Sequence, residues 1–279
     1  MSSSSVGTVM VALVLVVSAG LTTVARAAPA GPFRVGLIGD TGYNAEGERN
    51  FSRVRESMNA SGLAFAVHDG DIWYGGTACD DDRLRRIKAF FNGFRSLVYT
   101  PGDNEWLDCP EGADGRLPAI RRIFFSEPRS LGWAPISQGR QPDAPENARW
   151  ERSGVVFATL NVPGPGGGGP QRANLVWLDK TFDRAEATSA PAVMIVWQDD
   201  PTDGSSSELV ARLKKRAAKF RKPVLLVHGD THRYTLDNPW KEIRNLTRLE
   251  TFPTFTPEWV KVIVNPNDPA VFTVARVRA

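Results

Sequence analysis

A succession of short apolar runs separated by helix-spaced stretches constrains this chain more than any other feature. Phe33–Ile38, Leu63–Val67, Leu97–Tyr99, Val155–Leu160, Ala192–Trp197 and Val224–Val227 read as buried strands. Glu46–Asn59, Asp82–Phe91, Gln171–Glu186 and Ser205–Phe220 carry helical spacing between them. The last opens on Ser205-Ser206-Ser207-Glu208, a candidate N-terminal cap. Such alternation predicts an α/β layered fold. Leu249–Phe252, Trp259–Val264 and Val271–Val277 follow as strands with no helix between them, so part of the sheet is expected to be antiparallel. Pro163–Pro170 (PGPGGGGP) lacks the Lys-Ser/Thr of a phosphate-cradling loop and reads as a surface loop.

The 279 residues are 42% apolar and 23% charged, which excludes disordered, collagenous and disulfide-dense classes. A net charge of +3 is too small to argue for a nucleic-acid partner. Val9–Ala19 is almost unbroken apolar, and Ala25-Arg26-Ala27 offers small residues for cleavage. Residues 1–27 therefore read as a signal peptide, residues 31–279 as the mature domain, and the destination as secreted or periplasmic. An uncleaved anchor is the alternative, and no other membrane association is expected. An oxidising compartment favours a disulfide between Cys79 and Cys109, the only two cysteines, over two buried free thiols.

Polar residues gather where the apolar runs stop. Phe33–Ile38 ends in Gly39-Asp40, and Leu63–Val67 leads to Asp69-Gly70-Asp71 and Tyr74. Leu97–Tyr99 leads to Gly102-Asp103-Asn104-Glu105, Ala192–Trp197 to Gln198-Asp199-Asp200, and Val224–Val227 to His228-Gly229-Asp230-Thr231-His232. The carboxyl ends of strands in open α/β sheets face the ligand crevice, so these groups are expected to converge. Glycine precedes Asp40, Asp71, Asp103 and Asp230, where a sharp backbone turn would project each acid inward. Carboxylates brought together repel unless a cation compensates, which points to a metal site. With three histidines in the chain, that site must lean on oxygen.

Asp40-Thr41-Gly42, Gly70-Asp71-Ile72-Trp73-Tyr74, Gly102-Asp103-Asn104-Glu105, Gln198 and Gly229-Asp230-Thr231-His232 resemble, in order and spacing, the motifs of the calcineurin-like metallophosphoesterases, in their purple-acid-phosphatase pattern. The resemblance spans about residues 33–265. It implies two packed mixed β-sheets flanked by helices, with a two-metal site at strand ends. It also implies an exported phosphoesterase that hydrolyses phosphate mono- or diesters through a metal-bound hydroxide, with a small-molecule phosphoester as its partner. Carried over, the first ion (Fe or Mn) would be held by Asp40, Tyr74, His232 and the bridging Asp71. The second (Mn, Mg or Ca) would be held by Asp71, Asp103, Gln198 and Asp230.

Asp103 stands where the pattern has Asn, while Gln198 and Asp230 each replace a His. The second pocket becomes all-oxygen, suited to hard cations rather than Zn²⁺. Asn104 replaces the His expected at the transferring phosphoryl group; as a candidate catalytic residue it can hydrogen-bond there but cannot donate as an acid. A second reading is a catalytically impaired relative that keeps a metal and binds a ligand or a protein. Asp40-Thr41-Gly42 also matches an aspartic-protease signature, but that chemistry needs a second such tripeptide and none exists. His68 and His228 read as core histidines, the tryptophans beside the motifs as packing, and Glu105 and Asp199 as supports to the site or exposed acids.

Overall fold

The computed structural model describes Met1 and residues 31–279, apart from Glu111 and residues 165–170. The expected signal peptide and most of the Pro163–Pro170 loop therefore lie outside the described residues.

The chain runs β1 (Phe33–Ile38), α1 (Ala45–Ala60), β2 (Phe65–His68), α2 (Asp81–Phe91), β3 (Leu97–Tyr99) and α3 (Ala113–Phe124). It continues with β4 (Gly139–Gln141), β5 (Ala144–Arg152), β6 (Val155–Thr159), α4 (Gln171–Ala187), β7 (Val193–Val196) and α5 (Ser207–Phe220). Last come β8 (Val224–His228), β9 (Thr235–Asp237), β10 (Leu246–Glu250), β11 (Glu258–Val264) and β12 (Phe272–Arg278). One sheet has the order β12-β11-β1-β2-β3 and the other β4-β5-β6-β7-β8-β10-β9. Strands β1, β2 and β3 are parallel, as are β6, β7, β8 and β10. The antiparallel expectation for the C-terminal third holds for β11 and β12. Strand β10 is mixed, parallel to β8 and antiparallel to β9.

Strand alternation decides which face each side chain serves. Val35, Leu37, Phe65, Val67 and Val98 from one sheet meet Phe157, Met194, Val196, Leu225 and Val227 from the other. Ile38 and Ala66 point the opposite way, into a core with Phe51, Val54 and Met58 of α1 and Leu84 and Phe91 of α2. Val156, Ile195 and Leu226 pack on Trp177, Phe182 and Leu213 of α4 and α5. The result is helix, sheet, sheet, helix, the two-sheet architecture expected from the sequence. Each large side chain buried in these layers contributes about 1.5–3 kcal/mol.

Helix α1 is closed at its start by Asn44, whose side chain accepts from the backbone N–H groups of Glu46 and Gly47. Helix α5 begins at Ser207 with Ser206 in the cap position but no capping side-chain bond. The Ser205 hydroxyl is turned instead to Asp199. Cys79 and Cys109 are bridged, and among the described residues no cysteine is free.

Candidate metal centre

Strands β1, β2, β3, β7 and β8 deliver their C-terminal ends to one crevice. The turns there are unusual. Asp40, Asp71, Asp230 and His232 all take positive φ, at 53°, 60°, 78° and 62°. That conformation costs a non-glycine residue about 1–2 kcal/mol. Here Asp40, Asp71 and Asp230 themselves make turns that the sequence argument had given to the preceding glycines, of which Gly70 alone also takes positive φ, at 126°. Those glycines mainly make room: a Cβ on Gly102 would stand 2.0 Å from Asp71 Oδ1, and one on Gly229 2.6 Å from Asp40 Oδ2.

Donor atoms from Asp71, Asp103 and Asp230 lie within 4.8 Å of one another. The Gln198 amide nitrogen donates to Asp71 Oδ2 at 3.2 Å and to Asp230 Oδ1 at 2.9 Å. Asp40 and His232 lie alongside, with His232 Nε2 3.4 Å from Asp40 Oδ1. Six of the seven residues expected to hold metal are thus brought together. Tyr74 is 63% exposed and packs edge-on against the ring of Tyr43. The phenol at the carboxylates belongs to Tyr43, which sequence reasoning passed over. Its hydroxyl lies 3.1 Å from both Asp40 Oδ1 and Asp71 Oδ2. The available signal was its position directly after Asp40-Thr41-Gly42.

Asn104 reaches the edge of the crevice. Its side-chain N–H donates to the Trp73 carbonyl at 2.9 Å, and its Oδ1 faces Gly75. Trp73 returns an indole N–H to the Asn104 carbonyl at 2.8 Å, so the tryptophan packs and braces. Glu105 is fully buried and clamps two loops: it accepts from the Ile72 and Gly102 backbones and from the Tyr99 hydroxyl. Glu250 accepts from the Thr231 and Thr235 hydroxyls and the Arg233 backbone, tethering the segment that carries Asp230 and His232.

His68 and His228 are core histidines. His68 Nδ1 accepts from the Gly70 N–H, which leaves Nε2–H for the Thr41 hydroxyl at 2.8 Å. Burial lowers His68 to about 3 and His228 to about 4, so both are neutral.

The electrostatics ask for a cation. Burial, then the charges of Glu105, Asp40 and Asp103, holds the Asp71 carboxyl well above its ordinary value. Burial, with Asp103 and Asp40 also opposing ionisation, pushes Asp230 up to about 6. Asp103 is raised too, by burial and then Asp108. His232 is held above its usual value first by its hydrogen bond to Asp40. Asp40 Oδ2, Asp71 Oδ1 and Gln198 Oε1 are buried without a hydrogen-bond partner. Orphaned oxygens on side chains as buried as Asp40 and Asp71 (1% and 3% exposed) are costly. A cation would satisfy them, and the residues present fit one.

No family model and no curated protein sequence matches the chain. Among solved structures, a 5'-nucleotidase from Candida albicans SC5314 is similar over 88% of this chain at 11% identity, with a TM-score of 0.50. The match covers 51% of that protein, so this chain spans about half its length. Vps29 from Cryptosporidium parvum is similar over 89% of this chain and 98% of its own at 14% identity, TM-score 0.40. Vps29 from Chaetomium thermophilum gives 88% and 95% at 7% identity, TM-score 0.33. The likeness to the nucleotidase is one of fold alone, a fold that in this chain has two sheets flanked by helices.

Proposed function

We propose that the protein is an exported, metal-dependent phosphoesterase acting on a small-molecule phosphate mono- or diester. Residues 1–27 serve as its signal peptide and residues 31–279 as the catalytic unit. The bridged cysteines support an oxidising destination, and no helix among the described residues is long and apolar enough to cross a membrane. The observation that carries the enzyme reading is the convergence of Asp71, Asp103 and Asp230, with Asp40 joined to them through Tyr43, and the orphaned, buried oxygens of Asp40 and Asp71.

In this reading Asp40, His232 and Asp71 hold a first ion, Fe or Mn, and the family resemblance would add Tyr74. Asp71, Asp103, Asp230 and Gln198 hold a second, Mn, Mg or Ca. Ions bound there would supply Lewis acidity toward a phosphoryl group and lower the pKa of water. The chain supplies the rest. Asp71 would serve both positions, and Glu105 keeps its loop in place through the Ile72 and Gly102 backbones. Asn104 spends one amide N–H on Trp73 and offers the other to a phosphoryl oxygen. The exposed rings of Tyr74 and Phe255 flank Tyr43 at the mouth and would support a planar leaving group.

A proton donor for the leaving group is missing from this set. Asn104 cannot supply one, and His68 and His228 are buried and neutral. Aryl esters, whose leaving groups need no acid, should therefore exceed alkyl esters by about 10²-fold or more. Steady-state assays of both classes with Mn²⁺ or Mg²⁺ check this, and Asn104→His should raise the alkyl rate more than the aryl rate.

One observation favours a second reading, a non-catalytic relative that binds a ligand or a protein. The Gln198 amide already bridges Asp71 and Asp230 with its own N–H bonds. One ion per chain, with no phosphoester hydrolysed under any divalent metal, would establish that reading in place of the enzyme.

A further inference from the structure

We propose that Tyr43, rather than Tyr74, supplies the phenolate to the first ion. The inference rests on the two-ion reading above and deepens it.

The warrant is the spacing of donor atoms. Tyr43 Oη lies 3.1 Å from Asp40 Oδ1, 3.1 Å from Asp71 Oδ2 and 3.2 Å from His232 Nε2. Donors on adjacent vertices around an ion with bonds of about 2.0–2.2 Å stand about 3 Å apart. Tyr43 Oη thus stands at the spacing of a neighbouring ligand from one donor atom of each of three residues on three chain segments. Hydrogen bonding explains the cluster less well. One phenol O–H can serve only one of the two carboxylates, so the second 3.1 Å contact needs a further proton or a cation. Replacing that proton by a cation turns both contacts favourable.

The local fold explains how residue 43 arrives there. Gly42 takes φ +71°, and a Cβ on it would meet the Ile72 carbonyl at 3.0 Å, so the chain after Asp40 folds back tightly under the Asp71 loop. The Tyr43 ring is then held by Phe255 and His232, with centroids at 5.9 Å and 5.2 Å. Tyr74, 63% exposed, meets that ring at its edge from the solvent side. On binding, the Tyr43 O–H ionises, its proton leaves to water, and the oxygen lone pair is shared with the ion. With iron added as Fe³⁺, the step needs no oxidant or reductant.

The test is the visible absorption of the Fe³⁺-loaded full chain, with bound iron measured in each sample. Wild type should show a phenolate-to-iron band, and Tyr74→Phe should keep it. Tyr43→Phe retains the ring contacts and removes only the oxygen; it should lose the band and weaken iron binding by about tenfold or more. Should Tyr43→Phe fail to fold, Tyr74→Phe still decides. The remaining tyrosines are committed elsewhere, Tyr99 to Glu105 and Tyr234 to the ring of Phe252. A band lost in Tyr74→Phe, a band kept in Tyr43→Phe, or a colourless iron-loaded wild type would overturn the assignment. A folded wild type that takes up no iron would instead overturn the metal reading, and this inference with it.

Discussion

Asp71→Asn should abolish binding at both ion positions and lower phosphoester hydrolysis by about 10³-fold or more. Asp71 Oδ2 meets both the Tyr43 hydroxyl, beside Asp40, and the Gln198 amide, beside Asp230, so one carboxylate touches the residues of both proposed positions. An amide of the same shape keeps the packing but removes the charge. The stability effect runs the other way. Burial and neighbouring acids hold the Asp71 carboxyl well above its ordinary value, so ionising it near neutral pH destabilises the metal-free protein. Metal-free Asp71→Asn should therefore unfold at a higher temperature than metal-free wild type. Thermal unfolding in chelator, with and without added Mn²⁺, reads both effects. A variant that still gains stability from Mn²⁺ as wild type does would remove Asp71 from the centre.

Replacing both cysteines by serine should cost about 3–4 kcal/mol, because the bridge closes a loop with a sequence separation of 30. For a chain of this size that lowers the unfolding temperature by about 6–16 °C. The staple ties the segment after Asp71 to the one after Asp103. Cys109 Sγ sits 3.0 Å from the carbonyl oxygen of Glu105, the residue that clamps the two loops. Ion affinity should fall together with stability. Denaturant unfolding of the oxidised protein and the double variant gives the difference; a loss under about 1 kcal/mol would show that the loops hold without the bridge.

Most of the fold was legible because parallel strands buried on both faces must be short, apolar and punctuated. Phe33–Ile38 and Leu97–Tyr99 agree with β1 and β3 to the residue. Elements that break those rules were missed. Gly115 and Pro118 disguise α3 as loop. Strand β5 buries Glu146 and Asn147, and no hydropathy pattern reveals that. Their partners are distant in sequence: Arg121 grips Glu146 with two hydrogen bonds of 2.8 Å, and Asn147 bonds Gln141 and Asn174.

The site was legible to the extent that strand ends must converge. What stayed hidden depended on how the loops fold after the strands stop. Tyr43 and Tyr74 both follow an acid by three residues, and nothing in the sequence says which phenol turns inward. The turn at Gly42 decides it. Glu105 and Asp199 are another case: each is fully buried, a state that only their partners in the folded chain explain.

The central claim is that the acid cluster exists to hold cations, and its pH dependence gives it a direct test. Burial raises Asp230 to about 6, Asp199 to about 7 and Glu105 to about 8, against about 4 in an unfolded chain. Groups raised in this way stabilise the metal-free fold below about pH 4, and that contribution is lost as pH rises through their folded values. A cation takes the place of the protons, so its affinity should strengthen over the same window. Titration calorimetry of Mn²⁺ into metal-free protein at pH 5 and pH 8, in buffers of different ionisation enthalpy, measures stoichiometry, affinity and proton release together. The account predicts two ions per chain, tighter at the higher pH, with protons released on binding. An absence of Mn²⁺ binding at either pH, or binding that releases no protons and does not change between them, would contradict it.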